Sequence, residues 1–203
     1  MGEKVMQTRE NSAAMDRRLF VARLLAKTPE ALVVTGLGSA SYDVFAAGDR
    51  DHNYYLWGAM GGASSVALGI ALAQPARPVV VITGDGEQMM GIGSLATIAA
   101  KSPANLSIVV LDNGHYGETG MQKSHSSLGT DLVAVARGFG IAQVQQLRTL
   151  DEADALAAHI NARKATTFVQ ALIHADEPPR ALPPRDGPFI KNRFRSALGL
   201  QPF

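Results

Sequence analysis

Two short stretches hold residues whose types and spacing could do chemistry: Gly84-Asp85-Gly86 and Asp112-Asn113-Gly114. Each follows a run of apolar, mostly β-branched residues. In an open α/β sheet, ligands bind at the carboxyl ends of the strands. Asp85 and Asn113 are hard oxygen donors. Such a pair suits Mg2+ or Ca2+, and Mg2+ commonly shares its octahedron with phosphate oxygens. The glycines let backbone N–H groups come close to a phosphate, and a helix starting near Met89 would point its positive end there. Either motif alone is also an ordinary turn. Their spacing adds weight, because twenty-five residues lie between Gly86 and Asp112. A helix and a returning strand need about that many.

The elements that must position these groups follow from periodicity. Buried strands are expected at 31–35, 78–83 and 106–111, with a last one in "TTFVQALIH". Helices are expected over 12–27, with Ser12 as N-cap, over 61–73, in "GSLATIAAKS", in "TDLVAVARGFG" ended by Gly138 or Gly140, and in "LDEADALAAHINARK". Strands alternating with helices predict an α/β fold with a parallel sheet and helices on both faces. Its domain is expected over 1–175. From residue 176 to 203 proline and charge rise, which predicts an extended C-terminal arm with a docking helix in "KNRFRSALG". The first strand breaks at "TGLGS", so three glycine turns fall at strand ends.

Composition narrows the function classes. Hydrophobic residues make up 46% and charged residues 18%, enough for a sizeable core. The net charge of +1 is scattered and gives no footprint for nucleic acid or an anionic membrane. The chain has no cysteine, which excludes disulfides, Cys-ligated zinc and iron–sulfur clusters and suits a cytoplasmic location. The first twenty residues lack an apolar signal segment, and the apolar stretch at Val66–Ala73 is far too short to span a bilayer.

"GDG" followed at this distance by "(N/D)NG" resembles the thiamine-diphosphate-binding motif. With "AMGGASSVALGIALA", "GDGEQMM", "NLSIVVLDNGHYGETGMQ" and "TDLVAVARGFGI", the likeness runs over roughly residues 30–175. It is to the diphosphate-binding half of thiamine-diphosphate-dependent decarboxylases, notably the β-type chains of sulfopyruvate decarboxylases and the corresponding half of phosphonopyruvate decarboxylases. The resemblance implies Mg2+ held by Asp85, the Asn113 side chain and the backbone carbonyl of His115. Asp112 stands where many relatives have Asn, as it does in those decarboxylases. Backbone N–H groups of Gly86 and Glu87, with Gly38 and Ser39 from the first break and Gly84 beside them, would hold the diphosphate, closed over by Tyr116, Gly117, Glu118 and Thr119. Met60 would sit under the thiazolium ring. The Gly58 carbonyl would accept from the 4′-amino group, and the Met60 N–H would serve the pyrimidine.

The implied reaction is loss of CO2 from a 2-oxo acid, with the ring as electron sink. It needs a glutamate against the pyrimidine, which in this family lies on a separate pyrimidine-binding domain. The resemblance therefore implies an α subunit that supplies it. Carboligation of the acetolactate-synthase type and a non-catalytic, cofactor-binding or regulatory subunit stay open. His115 and His125 could reach substrate or be plain loop histidines. Lys123 could pair with an anionic substrate group or be solvated. Trp57 could pack or meet a partner. Met89 and Met90 are expected to pack rather than contact substrate, Arg193 and Arg195 could bind the partner chain but by default form a solvated basic arm, and His52 is unassigned.

Overall fold

The computed structural model describes residues 14–201. Its elements run α1 (Arg17–Ala26), β1 (Leu32–Thr35), α2 (Ser39–Ala46), β2 (Asn53–Tyr55), α3 (Ala63–Ala73), β3 (Val79–Gly84), α4 (Asp85–Met90) and α5 (Ser94–Lys101). They continue with β4 (Leu106–Asp112), a hairpin of β5 (His115–Tyr116) and β6 (Gln122–Lys123), α6 (Leu132–Gly138), β7 (Gln143–Leu147), α7 (Glu152–Ala162), β8 (Thr167–Leu172) and α8 (Gly187–Ala197).

Six strands form one sheet in the order β2-β1-β3-β4-β8-β7, and every pairing in it is parallel. Parallel strands need crossovers that cover both faces, so the central strands read as unbroken apolar runs. Side chains alternate between the faces. Val33, Val80, Ile82, Val109 and Val169 pack with α1, α2 and α7. Leu32, Val34, Val79, Val81, Ile108 and Val110 pack with α3, α5 and α6. Each such side chain contributes about 1.5–3 kcal/mol on burial.

Chain order reverses at β1. The crossover through α2 places β2 on one side of β1, and the one through α3 places β3 on the other. This switch point opens a crevice beyond the carboxyl ends of β1 and β3. The turns at Gly36–Gly38 and Gly84–Gly86 lie at its two walls. Gly84 stands opposite Leu111 in the β3–β4 register. Asp85 therefore leaves the sheet beside Asp112.

Several expectations need correction. The helix expected near Met89 begins at Asp85 itself. An aspartate in the first turn suits the positive end of a helix, which offsets the poor helix propensity of the flanking glycines. The helix expected from residue 12 is described from Arg17, with Asp16 as N-cap accepting from the Leu19 N–H at 2.8 Å. Ser12 lies outside the described residues. The helix expected from 61 starts at Ala63, because Gly61 takes a φ of 81°.

Beyond Ile173, which makes a single bridge with Met15, the chain runs to Asp186 without a helix or a strand, and α8 follows. Asp186 caps α8 by accepting from Phe189 N–H at 3.0 Å. Phe194 packs edge-on against Tyr54, with ring centroids 5.5 Å apart. Arg193 is not solvated as expected. It donates to Asp49 Oδ2 at 2.6 Å and to the Asn53 carbonyl at 3.1 Å, fastening α8 over edge strand β2. Arg195 donates to the Gln201 carbonyl at 2.8 Å. No helix among the described residues is long and apolar enough to cross a membrane.

Candidate functional site

The crevice gathers residues from four turns. Asp85, which opens α4, is 3% exposed. Its Oδ2 accepts from the Ser124 hydroxyl and lies 3.1 Å from the Ser126 hydroxyl. Asp112, at the end of β4, accepts from Ser126 at 2.7 Å and Gly114 N–H at 2.9 Å on Oδ1, and from Gln170 Nε2 at 2.5 Å on Oδ2. Burial, with the Asp112 charge second, pushes the Asp85 carboxyl up to about 6. Asn113 Oδ1 accepts from His115 N–H at 3.0 Å, and His115 Nδ1 lies 2.8 Å from the Asn113 carbonyl.

This donor set fits a hard cation. Among the described residues, Asp85 and Asp112 meet hydroxyls, an amide and backbone N–H groups rather than cationic side chains. No group of three or more His, Cys, Asp and Glu side chains there could hold a metal by itself. One carboxylate, one amide and a backbone carbonyl would leave places for outside oxygens, which is how Mg2+ is usually bound beside a phosphate.

The raised Asp85 carboxyl predicts a pH effect. An acid held above its ordinary value of 3.8 stabilises the fold fully below that pH, and the contribution is lost as pH rises through about 6. Cation-free protein should therefore lose stability steadily as pH rises from about 4 to 7. Saturating Mg2+ should flatten that fall. Thermal melts in chelator and in Mg2+ check it.

Glu87 has a second part besides the one expected of its N–H. Its N–H stands in the first turn of α4, but its side chain turns into the protein. Thr83 donates to Oε2 at 2.9 Å, and Gly61 N–H to Oε1 at 3.4 Å. A Cβ on Gly36 would lie 1.5 Å from Oε2. One carboxylate thus braces the turns after β1, before α3 and after β3. Burial raises its pKa. Glu87→Ala should cost about 2–4 kcal/mol, from lost hydrogen bonds and an emptied space. Glu87→Gln should retain most of that stability in the same denaturation series.

Two other glycines are explained by side chains. At Gly86 a Cβ would lie 2.4 Å from the Tyr116 ring, and at Gly38, with φ 77°, 2.9 Å from Glu118. Tyr116 and Glu118 therefore do lie over the crevice, held by the β5–β6 hairpin. The Tyr116 hydroxyl is 2.6 Å from His125 Nδ1. Gly117, Glu118 and Thr119 form a 3-10 turn at the hairpin's tip. Ser39 opens α2.

Gly58 has φ 72° and open space around it, and Met60 is 51% exposed. Trp57 is packed, donating to the Pro184 carbonyl at 2.8 Å beneath the Arg185 guanidinium. Met89 packs on the core, whereas Met90 does not and is 62% exposed. His52 sits at the opposite end of the sheet, 3.3 Å from Arg77. The buried partners Ser124, Ser126 and Gln170 were not legible in the sequence. Their only signal, the alternation in "KSHSS", is weak.

A parallel sheet with a glycine-lined, hard-oxygen crevice at its switch point has the form of a ligand-binding α/β domain. Residues 36–171 match the family described as thiamine pyrophosphate enzyme, C-terminal TPP binding domain, and the chain belongs to that family. It is 47% identical over 149 residues to phosphonopyruvate decarboxylase of Streptomyces viridochromogenes, covering 72% of this chain but 37% of the relative. It is 33% identical over 186 residues to the sulfopyruvate decarboxylase subunit beta of Methanococcus maripaludis, covering 91% of this chain and 98% of that one. The fold resembles benzoylformate decarboxylase from Polynucleobacter necessarius, with a TM-score of 0.67 at 23% identity over 80% of this chain and 34% of that chain. The chain thus spans well under half of the phosphonopyruvate decarboxylase and nearly all of the β subunit.

Proposed function

We propose that this chain is the diphosphate-binding β subunit of a two-chain, thiamine-diphosphate- and Mg2+-dependent 2-oxo-acid decarboxylase. The observation that carries the reading is the pairing of buried Asp85 with the Asn113 turn at the sheet's switch point, in a chain matching a named β subunit along 98% of its length. Asp85, Asn113 and the His115 carbonyl would hold the cation. Gly38, Ser39, Gly84, Gly86 and Glu87 would receive the diphosphate, with Tyr116, Gly117, Glu118 and Thr119 over it. Gly58 and the exposed Met60 would meet the pyrimidine and thiazolium ends.

When bound, thiamine diphosphate supplies the electron sink for CO2 loss. The residues of this chain bind and orient it and cover it with the Tyr116 hairpin. The pyrimidine-facing glutamate would come from a pyrimidine-binding α subunit. The substrate class is a small 2-oxo acid with a second anionic group, sulfonate or phosphonate, acting in the cytoplasm.

The test is native mass spectrometry of the tagged chain isolated from its own host with Mg2+. A complex with one further chain type, carrying thiamine diphosphate, is expected. A chain that stays alone and cofactor-free with both ligands supplied would overturn the proposal.

A further inference from the structure

Ser124 and Ser126 stand outside every motif that marks the crevice, yet their hydroxyls end on its two carboxylates. Ser124 is 1% and Ser126 8% exposed. They follow β6, 39 and 41 residues from Asp85 in the chain. Their placement is fixed by the neck of the hairpin. The Gly114 carbonyl accepts from Ser124 N–H at 2.8 Å and from the Ser127 hydroxyl at 2.6 Å. A Cβ on Gly114 would lie 2.2 Å from Ser127 Oγ, so only glycine permits that closure.

A count of donors shows what the pair does. Each serine has one hydroxyl hydrogen. Ser124 gives its hydrogen to Asp85 Oδ2. Ser126 lies 2.7 Å from Asp112 Oδ1 and 3.1 Å from Asp85 Oδ2, so its hydrogen serves the nearer Asp112. Asp112 then holds three donors: Ser126, Gly114 N–H and Gln170. Both its oxygens accept hydrogen bonds inside the protein. Asp85 Oδ2 is pinned from the hairpin side, and among the described residues no side chain donates to Oδ1.

We propose that Ser124 and Ser126 are positioning residues for the cation carried by Asp85. Ser124 pins one oxygen and leaves the other to coordinate, while Ser126 holds Asp112 and stands 3.1 Å from the same Asp85 oxygen. They also tie the Tyr116 hairpin to the same carboxylate, so that hairpin closure and cation binding reinforce each other. Gln170 completes the device by holding Asp112 away from the ion. This rests on the decarboxylase-subunit reading for the identity of the ion as Mg2+.

The test uses the complex isolated from its host, dialysed against graded Mg2+. Bound magnesium is measured by elemental mass spectrometry and bound thiamine diphosphate is counted beside it. Ser124→Ala/Ser126→Ala should raise the half-saturating Mg2+ about 10–100-fold. Ser124→Thr, which keeps the hydroxyl, should stay within a few-fold of the unaltered complex. A double variant that folds and binds Mg2+ as tightly as the unaltered complex would overturn the proposal. If the double variant does not fold, Ser126→Ala alone carries the test, with a several-fold rise expected and no change contradicting it. A merely structural role would lower the melting temperature in chelator without moving the Mg2+ midpoint, and that too would contradict it. If the unaltered complex itself binds no Mg2+ or thiamine diphosphate, it is the decarboxylase reading that fails.

Discussion

Asp85→Asn is expected to abolish Mg2+-dependent retention of thiamine diphosphate and to lower turnover of the complex by more than about a hundredfold. Altering groups one step behind a metal ligand already costs about 10–100-fold, and Asp85, unlike Asp112, keeps an oxygen to which no side chain among the described residues donates. The fold should survive the change. Asparagine has nearly the same shape, and its carbonyl can still accept from Ser124. It also removes the charge that burial and Asp112 disfavour. In chelator at neutral pH, Asp85→Asn should therefore melt at or above the unaltered protein. Equilibrium dialysis with thiamine diphosphate, run beside thermal melts, reads both effects. Retained Mg2+-dependent binding would remove Asp85 from the site.

Gly91→Ala is expected to be the most damaging small substitution outside the core. Gly91 ends α4, and its Cα lies against the turn that carries Gly58 and Met60. A Cβ there would meet the Gly61 carbonyl oxygen at 2.0 Å and its carbon at 2.8 Å. Both are backbone atoms, so no side chain can swing aside. A Cβ on Gly61 would in turn meet Gly91 N at 2.6 Å. Two backbones touch through paired glycines, and Glu87 reaches the same Gly61 from the other end of α4.

Overpacking of this kind costs about 1–3 kcal/mol and occasionally more. In a chain of this size each kcal/mol lowers the melting temperature by about 2–4 °C. Gly93→Ala is the control. Gly93 has φ −63° and nothing within 4 Å of its added Cβ, so that variant should be neutral or gain about 0.4–1 kcal/mol. If Gly91→Ala melts like Gly93→Ala, the turn does not rest on α4. Thiamine diphosphate affinity of the complex should fall with Gly91→Ala, because the displaced turn carries Gly58 and Met60.

The parts of the fold legible in the sequence are those buried on both faces. β1, β3, β4 and β8 read as largely apolar runs because helices cover both sides of them. β2 and β7 lie at the edges of the sheet. Asn53-Tyr54-Tyr55 and Gln143–Leu147 carry too few apolar residues to register as strands. The β5–β6 hairpin has two residues per strand, shorter than any periodicity can reveal.

In the crevice, Asp85 and Asn113 stand out because a polar residue next to a glycine at the end of an apolar run is conspicuous. Glu87, Ser124, Ser126 and Gln170 do not. Their parts depend on which turns the sheet brings together, and the partners of Ser124 and Gln170 lie tens of residues away. Arg193 misleads for the same reason. In the sequence it belongs to a basic arm, and in the fold Asp49 and the β2 backbone take up its charge.

The central claim is tested most directly by measuring CO2 release from sulfopyruvate, phosphonopyruvate and simple 2-oxo acids by the complex isolated with this chain. CO2 and the matching aldehyde should form from one of them. The activity should stop when Mg2+ and thiamine diphosphate are stripped, and return when both are restored. A complex that holds thiamine diphosphate yet releases no CO2 from any of these acids, or that turns them over equally well without this chain, would contradict the account.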